Sequence, residues 1–591
     1  MAISSARAID GEAQQGEAAE PVVFDNQLGL FTPAKTGGPV RNIAVLFINP
    51  WGLEDLLSRR FYRHLAETLA EQGVASLRFD LPGTGNALDP KPESEGLQNW
   101  IAAIENAVLQ LKKTSGAKNI VLLGQGLGAT LACRAVAGCP GVVGLALLAP
   151  VLKGRAYLRE LALWSKLVSE GQNIGSEHRD KSPGSIAGFR MSQAVAEDLK
   201  RLDITKCGID PRISIFLAKR PDAQNDAAFE EHAAGQGHPL TAVAFDGYEV
   251  MLSDLLPPPH PKTIGPELTS WLSSLQGADT EISKPERHDQ PDELMADGFS
   301  ELPLRFGQNN RLFGILCRPA GVDLGVTVII ATTGYDPMSG WGRVHVELAR
   351  RLAAKGIASF RFDSAGAGES PEVPGRKKQA LYDKIQLEDI KLARERIRDE
   401  GLSGKVMIYG RCSGGYSAFR AAVEDPAWDA CIAVNPYGFR WRFQGLPRSL
   451  KGYWGRLTAP DFKKQLLSGE LDIRAALQNI GIRALDRVAQ PVSKVLPGFR
   501  GWAQLNAFVY KDFQTLADRG AQVTIIYSEG DEAQDSFNAH FRTDGSGLGD
   551  FPNAQFQSIP DADHNVTPHE AREKLLQIVE EKALLLARLE A

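Results

Sequence analysis

A thiol is the group best placed for chemistry in this chain. Cys412 stands at the centre of Gly410-Arg411-Cys412-Ser413-Gly414, directly after the apolar run Val406-Met407-Ile408-Tyr409 and ahead of a helical stretch from Tyr416 to Val423. A strand that ends in Gly-x-nucleophile-x-Gly and feeds a helix presents its central side chain at a sharp turn, a nucleophile elbow. The turn forces strained backbone angles, and the flanking glycines remove side chains that would clash there. A free thiol, with a pKa of about 8.5, is mostly protonated at neutral pH. Such a cysteine therefore needs an imidazole to take its proton and a carboxylate to fix the imidazole's tautomer. The positive end of the helix that starts at Cys412 favours the thiolate further. The same grammar occurs earlier as Gly124-Gln125-Gly126-Leu127-Gly128, after Ile120-Val121-Leu122-Leu123, and there the central residue has no reactive atom. Cys207, Cys317 and Cys431 read as small, inert hydrophobes.

The elements that must position these residues also come in pairs. His64-Leu65-Ala66-Glu67-Thr68-Leu69-Ala70-Glu71-Gln72-Gly73 and Glu347-Leu348-Ala349-Arg350-Arg351-Leu352-Ala353-Ala354-Lys355-Gly356 align as amphipathic helices with a glycine stop. A β-rich strand follows in each, ending at Asp80 and Asp363, and then a glycine turn, Pro82-Gly83-Thr84-Gly85 and Ala365-Gly366-Ala367-Gly368. Asp363 is expected to organise its turn and to take no part in chemistry. Upstream, Asn26 to Phe31 matches Asn310 to Ile315 as a strand of an opening hairpin. The period, near 284 residues, is a domain length and not a solenoid unit. Strands alternating with helices imply a mainly parallel sheet with helices on both faces. The expected layout is a disordered tail over 1–20, a domain over 21–275, a charged, proline-rich linker over 276–298, and a second domain over 299–591.

Composition sets outer bounds. A chain of 591 residues is too long for one core, and 43% hydrophobic with 23% charged residues is ordinary for a soluble globular protein. A net charge of −6 argues against bulk nucleic-acid binding. Six cysteines with no CxxC pair and no metal-ligand spacing suit reduced thiols and call for no metal or other cofactor. Neither an apolar signal region nor a run of about 18–20 apolar residues is present, so a cytoplasmic location is expected.

Both halves resemble the α/β-hydrolase superfamily, over nearly the whole chain apart from the tail and linker. That superfamily orders its triad as nucleophile, acid, base. The resemblance implies Cys412 in the elbow, Asp531 in Ser528-Glu529-Gly530-Asp531 after the strand Val523 to Tyr527, and His564 in Asp561-Ala562-Asp563-His564 before the last helix. Asp535 and Glu532 compete locally with Asp531, and His569 and His540 with His564; His345 reads as a structural or pocket residue. The oxyanion of acyl transfer would be held by the Ser413 N–H and by an N–H of Thr333-Gly334-Tyr335, the stretch at the superfamily's His-Gly position, with Tyr335 favoured. One such donor is worth about 3–4 kcal/mol in the transition state.

A narrower resemblance is to the paired hydrolases that accompany exosortase and exopolysaccharide gene clusters, one type with a cysteine elbow and one without a nucleophile. The second half is similar to the cysteine type through Gly340-Trp341-Gly342-Arg343-Val344-His345, Gly410-Arg411-Cys412 and Tyr453-Trp454-Gly455-Arg456. The first half is similar to the other type through Ser58-Arg59-Arg60, Gly126-Leu127-Gly128-Ala129 and Gly247-Tyr248-Glu249-Val250-Met251-Leu252. Fusion of the two in one chain departs from that pattern.

The α/β rhythm breaks between Pro436 and Gly520, which predicts a helical cap over about 437–520. Residues 440–519 hold 14 Lys+Arg against 6 Asp+Glu, beside Trp441, Phe443, Tyr453, Trp454, Phe499 and Trp502. That excess either attracts an anionic substrate or is simply a solvated face. In the first half Asp222 keeps the acid position, but the base position reads Asp246-Gly247-Tyr248-Glu249 with no histidine until His260. The expected function is therefore an acyl hydrolase or acyltransferase in the second half, acting on an acylated small molecule or glycan, with an exopolysaccharide context implied by the resemblance. A non-catalytic scaffold for polysaccharide-assembly proteins and a dienelactone-hydrolase-like lactonase are the alternatives.

Overall fold

The computed structural model describes residues 19–35, 40–221, 223–252, 260–275, 283–286, 292–375, 382–440, 500–542 and 544–589. Most of the expected tail, much of the linker, Asp222 and the centre of the expected cap (441–499) lie outside the described residues. The chain forms two compact units: Met1–Leu161, Met191–Leu294 and Leu302–Arg305 make the first, and Ala162–Arg190, Met295–Glu301 and Phe306–Ala591 the second.

The first unit is built on β1 (Glu20–Phe24), β2 (Gln27–Thr32), β3 (Ile43–Ile48), β4 (Ala75–Phe79), β5 (Asn119–Gln125), β6 (Val142–Leu148), β7 (Ser214–Lys219) and β8 (Leu240–Ala244), in the spatial order β1-β2-β4-β3-β5-β6-β7-β8. The β1–β2 hairpin and the β2–β4 pair are antiparallel; β4 onward is parallel. Every residue of β3 is buried, because helices cover both faces and a central parallel strand has no solvent side. Phe61, Leu65 and Leu69 of helix Leu53–Glu71, with Leu268 and Trp271 of helix Ile264–Ser274, close one face over Val45, Phe47 and Val121.

The second sheet repeats this plan with one extra edge strand. Its strands are β9 (Leu294–Ala296), β10 (Phe299–Phe306), β11 (Leu312–Pro319), β12 (Val326–Ala331), β13 (Ala358–Asp363), β14 (Lys405–Arg411), β15 (Ala430–Val434), β16 (Gln522–Ser528) and β17 (Ala554–Ile559). Their order is β17-β16-β15-β14-β12-β13-β11-β10-β9. In both sheets the strand that ends in the Gly-x-x-x-Gly turn, β5 or β14, is the one at which the order reverses. The carboxyl ends of strands beside such a reversal open a crevice where ligands bind.

Two boundaries differ from the sequence reading. β9 lies inside the stretch expected as linker, and Glu301 of β10 is buried between Arg350, 2.9 Å away, and Arg361, 2.8 Å away. Residues 162–190, which fall between β6 and β7 and were expected in the first domain, are part of the second unit.

Candidate active site

Cys412 has φ 54° and ψ −121°, a left-handed conformation that costs a residue with a side chain of order 1–3 kcal/mol and persists only where the surroundings impose it. Here the surroundings are tight. A Cβ on Gly410 would overlap the Gly414 carbonyl, and one on Gly414 would sit 2.6 Å from the Thr332 carbonyl. The Cys412 N–H donates to Val434 O at 2.8 Å, tying the turn to the end of β15. The helix that follows runs from Ser413 to Glu424.

Asp531 and His564 meet at this turn from the loops after β16 and β17. His564 Nδ1 lies 2.8 Å from Asp531 Oδ2. The His564 Nε2 is buried with no hydrogen-bond partner among the described residues, and the Cys412 sulfur and the imidazole each perturb the other electrostatically. Burial alone would push the thiol up, but the charge of His564, with the Arg411 guanidinium behind it, brings it below its ordinary value. Burial alone would lower the imidazole, but the Cys412 thiolate and the Asp531 carboxylate raise it to about 9. The competing residues stand elsewhere. Glu532, Asp535 and His569 are exposed. His540 sits near the Phe439 ring and is lowered to about 4 by burial. His345 is buried, contacts Met338 O through Nδ1 at 3.1 Å, and is lowered to about 3 by burial and by Arg411. Asp363 accepts from the N–H of Met338 at 2.6 Å and of Glu369 at 2.8 Å, organising the glycine turn.

The loop after β12 is pinned onto the elbow. Thr333 Oγ1 donates to Arg411 O at 2.7 Å, and the Gly334 N–H donates to Ser413 Oγ at 2.7 Å. That bond spends the Gly334 donor and leaves Tyr335 as the next residue of the loop. Arg411, 3% exposed, joins three parts of the site: its guanidinium donates to Asn565 Oδ1 beside His564, and to Asp336 Oδ2 at 3.3 Å on the β12 loop. Burial raises Asp336 to about 6 against the pull of Arg411 and of the nearby Trp341.

Several site residues were missed by sequence reasoning. Asn435, at the end of β15, donates to Ser528 Oγ at 3.0 Å and His564 O at 2.9 Å, and accepts from the Ser528 N–H at 2.8 Å, so it fixes the spacing of acid and base loops. The Tyr437 ring lies 4.9 Å from that of His564. Burial and the nearby Cys412 sulfur raise the Tyr382 phenol, and its ring meets Tyr416 edge-on at 5.1 Å. Only Arg411, inside the elbow motif, carried a local signal.

The first unit has the same turn with a different filling. Gly126 keeps φ 53° and ψ −119°, within a few degrees of Cys412. A Cβ there would lie 2.5 Å from Glu54 Oε2. Glu54 Oε1 accepts from Gln125 Nε2 at 2.9 Å and from Tyr248 OH at 3.0 Å, and burial raises its carboxyl above the ordinary range. The cause is a longer helix: it starts at Leu53, just after β3, whereas its counterpart starts at Val344, well after β12. Its first turn therefore fills the space where a nucleophile's side chain would stand. Tyr248 occupies the turn expected to carry a base, and Asp226, near the expected acid position, pairs with Arg220 at 2.7 Å.

A family model described as serine aminopeptidase, S33, matches residues 57–177 and 328–490, one stretch in each half. Both units have the α/β-hydrolase fold. Similar solved structures cover about one half of the chain. They include XC6422 from Xanthomonas campestris, titled an α/β serine hydrolase without lid (15% identity, 52% of this chain, 100% of that chain, TM-score 0.30). Est1E from Butyrivibrio proteoclasticus (16%, 48%, 98%, 0.29) and a dienelactone hydrolase from Anabaena variabilis (15%, 46%, 89%, 0.28) are others. No curated protein matches. Among the described residues no helix is long and apolar enough to cross a membrane.

Proposed function

We propose that the second α/β-hydrolase unit cleaves or transfers acyl groups through a covalent intermediate on Cys412, with His564 as base and acid and Asp531 as its orienting carboxylate. The observation that carries this reading is the Asp531 Oδ2–His564 Nδ1 hydrogen bond, which leaves a buried, unpartnered Nε2 on an imidazole coupled to a sulfur held at a left-handed turn. The Cys412 thiolate adds to the carbonyl carbon of an ester or thioester, and the oxyanion forms against the Ser413 N–H and the Tyr335 N–H. Collapse expels the alcohol or thiol, which leaves with the proton from His564. Water, or a sugar hydroxyl in a transferase, then gives its proton to His564 and attacks the thioester, returning the thiolate. A raised His564 and a lowered Cys412 favour the thiolate–imidazolium pair.

The acylated substrate is a small molecule or a glycan of an exopolysaccharide pathway; the resemblance of both halves to that paired group supports this context. The first unit, with Glu54 in place of a nucleophile, takes no part in bond making. Steady-state hydrolysis of p-nitrophenyl acetate, acyl-coenzyme A, acetylated sugars and small lactones by the parent, Cys412→Ala and His564→Ala tests the reading. Turnover on esters or thioesters that disappears in both variants supports it. Turnover that persists in Cys412→Ala removes the thiol as nucleophile, and activity on lactones alone favours the lactonase alternative.

A further inference from the structure

We propose that residues 162–190, although they fall between β6 and β7 in the chain, act as a positioning clasp for the Cys412 site by holding the turn Trp341–Arg343 behind the β12 loop. The inference rests on the acyl-transfer reading and gives a role to a segment that carries none of its reactive groups.

The clasp closes on one guanidinium. Arg572, in the first turn of helix His569–Arg588, is 7% exposed. Its Nη2 donates to Gly188 O at 2.6 Å, and its Nη1 to Gly342 O at 3.0 Å. Both glycines are left-handed, with φ +83° and +58°. A Cβ on Gly342 would lie 2.5 Å from Gly188 O, and one on Gly188 would overlap Arg572 Nη2. Two backbone segments thus meet at the Arg572 guanidinium, at a point that admits no further side chain, and a buried cation left without either carbonyl would be costly. A second anchor lies nearby: His178 Nε2 is 3.4 Å from Asp561 Oδ1, at the start of the loop that carries His564. The segment is braced internally by the reciprocal Ile186–Phe189 backbone pair, at 3.0 and 2.8 Å, and by Arg190 on Asp180 at 2.6 Å.

A short chain of contacts leads from the clasp to the reacting atoms. Trp341, next to Gly342, stands close enough to Asp336 to favour its carboxylate. Asp336 holds Arg411, and the Arg411 carbonyl receives Thr333 Oγ1 on the loop that offers the second oxyanion donor. Release of the Trp341–Arg343 turn frees that loop while leaving the Cys412–His564 pair in place.

Two rates measured on the full chain separate these effects. Turnover of p-nitrophenyl acetate needs the oxyanion donors; alkylation of Cys412 by iodoacetamide, read by peptide mass, needs only the thiolate. Arg572→Met and Gly188→Ala are expected to lower kcat by about tenfold or more, with KM and the Cys412 alkylation rate within about twofold of the parent. Arg572→Lys, which can still donate to one carbonyl, recovers an intermediate kcat. Variants whose turnover equals the parent's overturn the clasp, as do variants in which turnover and alkylation fall together in step with the thermal midpoint. A parent with no Cys412-dependent turnover refutes instead the reading on which the clasp depends, and the clasp falls with it.

Discussion

Restoring a nucleophile to the first unit should damage it without arming it. Gly126→Ser places a Cβ 2.5 Å from Glu54 Oε2 and 2.9 Å from Oε1, at a residue with φ +53°. The left-handed angle costs a non-glycine residue about 1–2 kcal/mol. Moving Glu54 aside breaks its hydrogen bonds from Gln125 and Tyr248, and each bond lost from a buried group costs about 1–3 kcal/mol. The sum is about 3–5 kcal/mol once partial relaxation of the carboxylate is allowed. Urea unfolding followed by circular dichroism reads this as an earlier first transition, and ester turnover of a Cys412→Ala, Gly126→Ser double variant should remain at background. Glu54→Ala removes the obstruction, so Gly126→Ser should cost less in that background than in the parent, by about 1–3 kcal/mol of coupling. A Gly126→Ser protein within about 0.5 kcal/mol of the parent, or one that gains turnover, would refute the account of Glu54 as the group that fills the blank site.

Three further outcomes follow from the second unit. Asp531→Asn removes the carboxylate that helps raise His564, so the imidazolium is lost at lower pH. The basic limb of the pH–rate profile should move down from about 9, with kcat reduced by roughly 10²-fold or more. In the parent the raised imidazole contributes stability that is whole below pH 6.5 and is lost as pH rises through about 9, and in Asp531→Asn that window narrows; thermal midpoints across pH check it. Tyr382→Phe deletes a buried hydroxyl near the Cys412 sulfur; if that hydroxyl favours the thiolate, the acidic limb of Cys412 alkylation should move to higher pH, and an unchanged or lower limb speaks against such a role. Glu301 is held to about 2 by Arg361 and Arg350 against the effect of burial, so its contribution is present above pH 4.5 and is lost as pH falls toward 2. Glu301→Gln should cost about 3–5 kcal/mol at neutral pH and unfold with a shallower loss of stability between neutral pH and about pH 3.

The elbow was legible because its physics is local. Glycines at Gly410 and Gly414 are demanded by backbone atoms within a few residues or on the adjoining strand, and the run from Val406 to Tyr409 announces the strand that delivers them. The helix–glycine–strand repeat was legible for the same reason, since periodicity and a glycine stop are short-range signals. Asp531 and His564 came from the order implied by resemblance, and the structure pairs the two across loops that no spacing rule connects. Asp336, Asn435 and Asn565 were opaque: each bonds a partner from a different strand's loop, and nothing near any of them in the chain reports that partner. Glu54 reads in the sequence as an ordinary acidic residue of a helix's first turn, where it suits the dipole. Only the helix's early start turns it into the occupant of the blank site. Residues 172–190, polar and rich in Gly and Ser, show no apolar period, so the pattern gave no indication of the body they join.

Intact-mass analysis after rapid mixing with p-nitrophenyl acetate, followed by peptide mapping, tests the covalent step most directly. The mechanism predicts one acetyl increment on the peptide containing Cys412 in the parent, its accumulation in His564→Ala if any acylation persists there, and none in Cys412→Ala. An acetyl group carried by another residue, or ester turnover with Cys412 never modified, would contradict it.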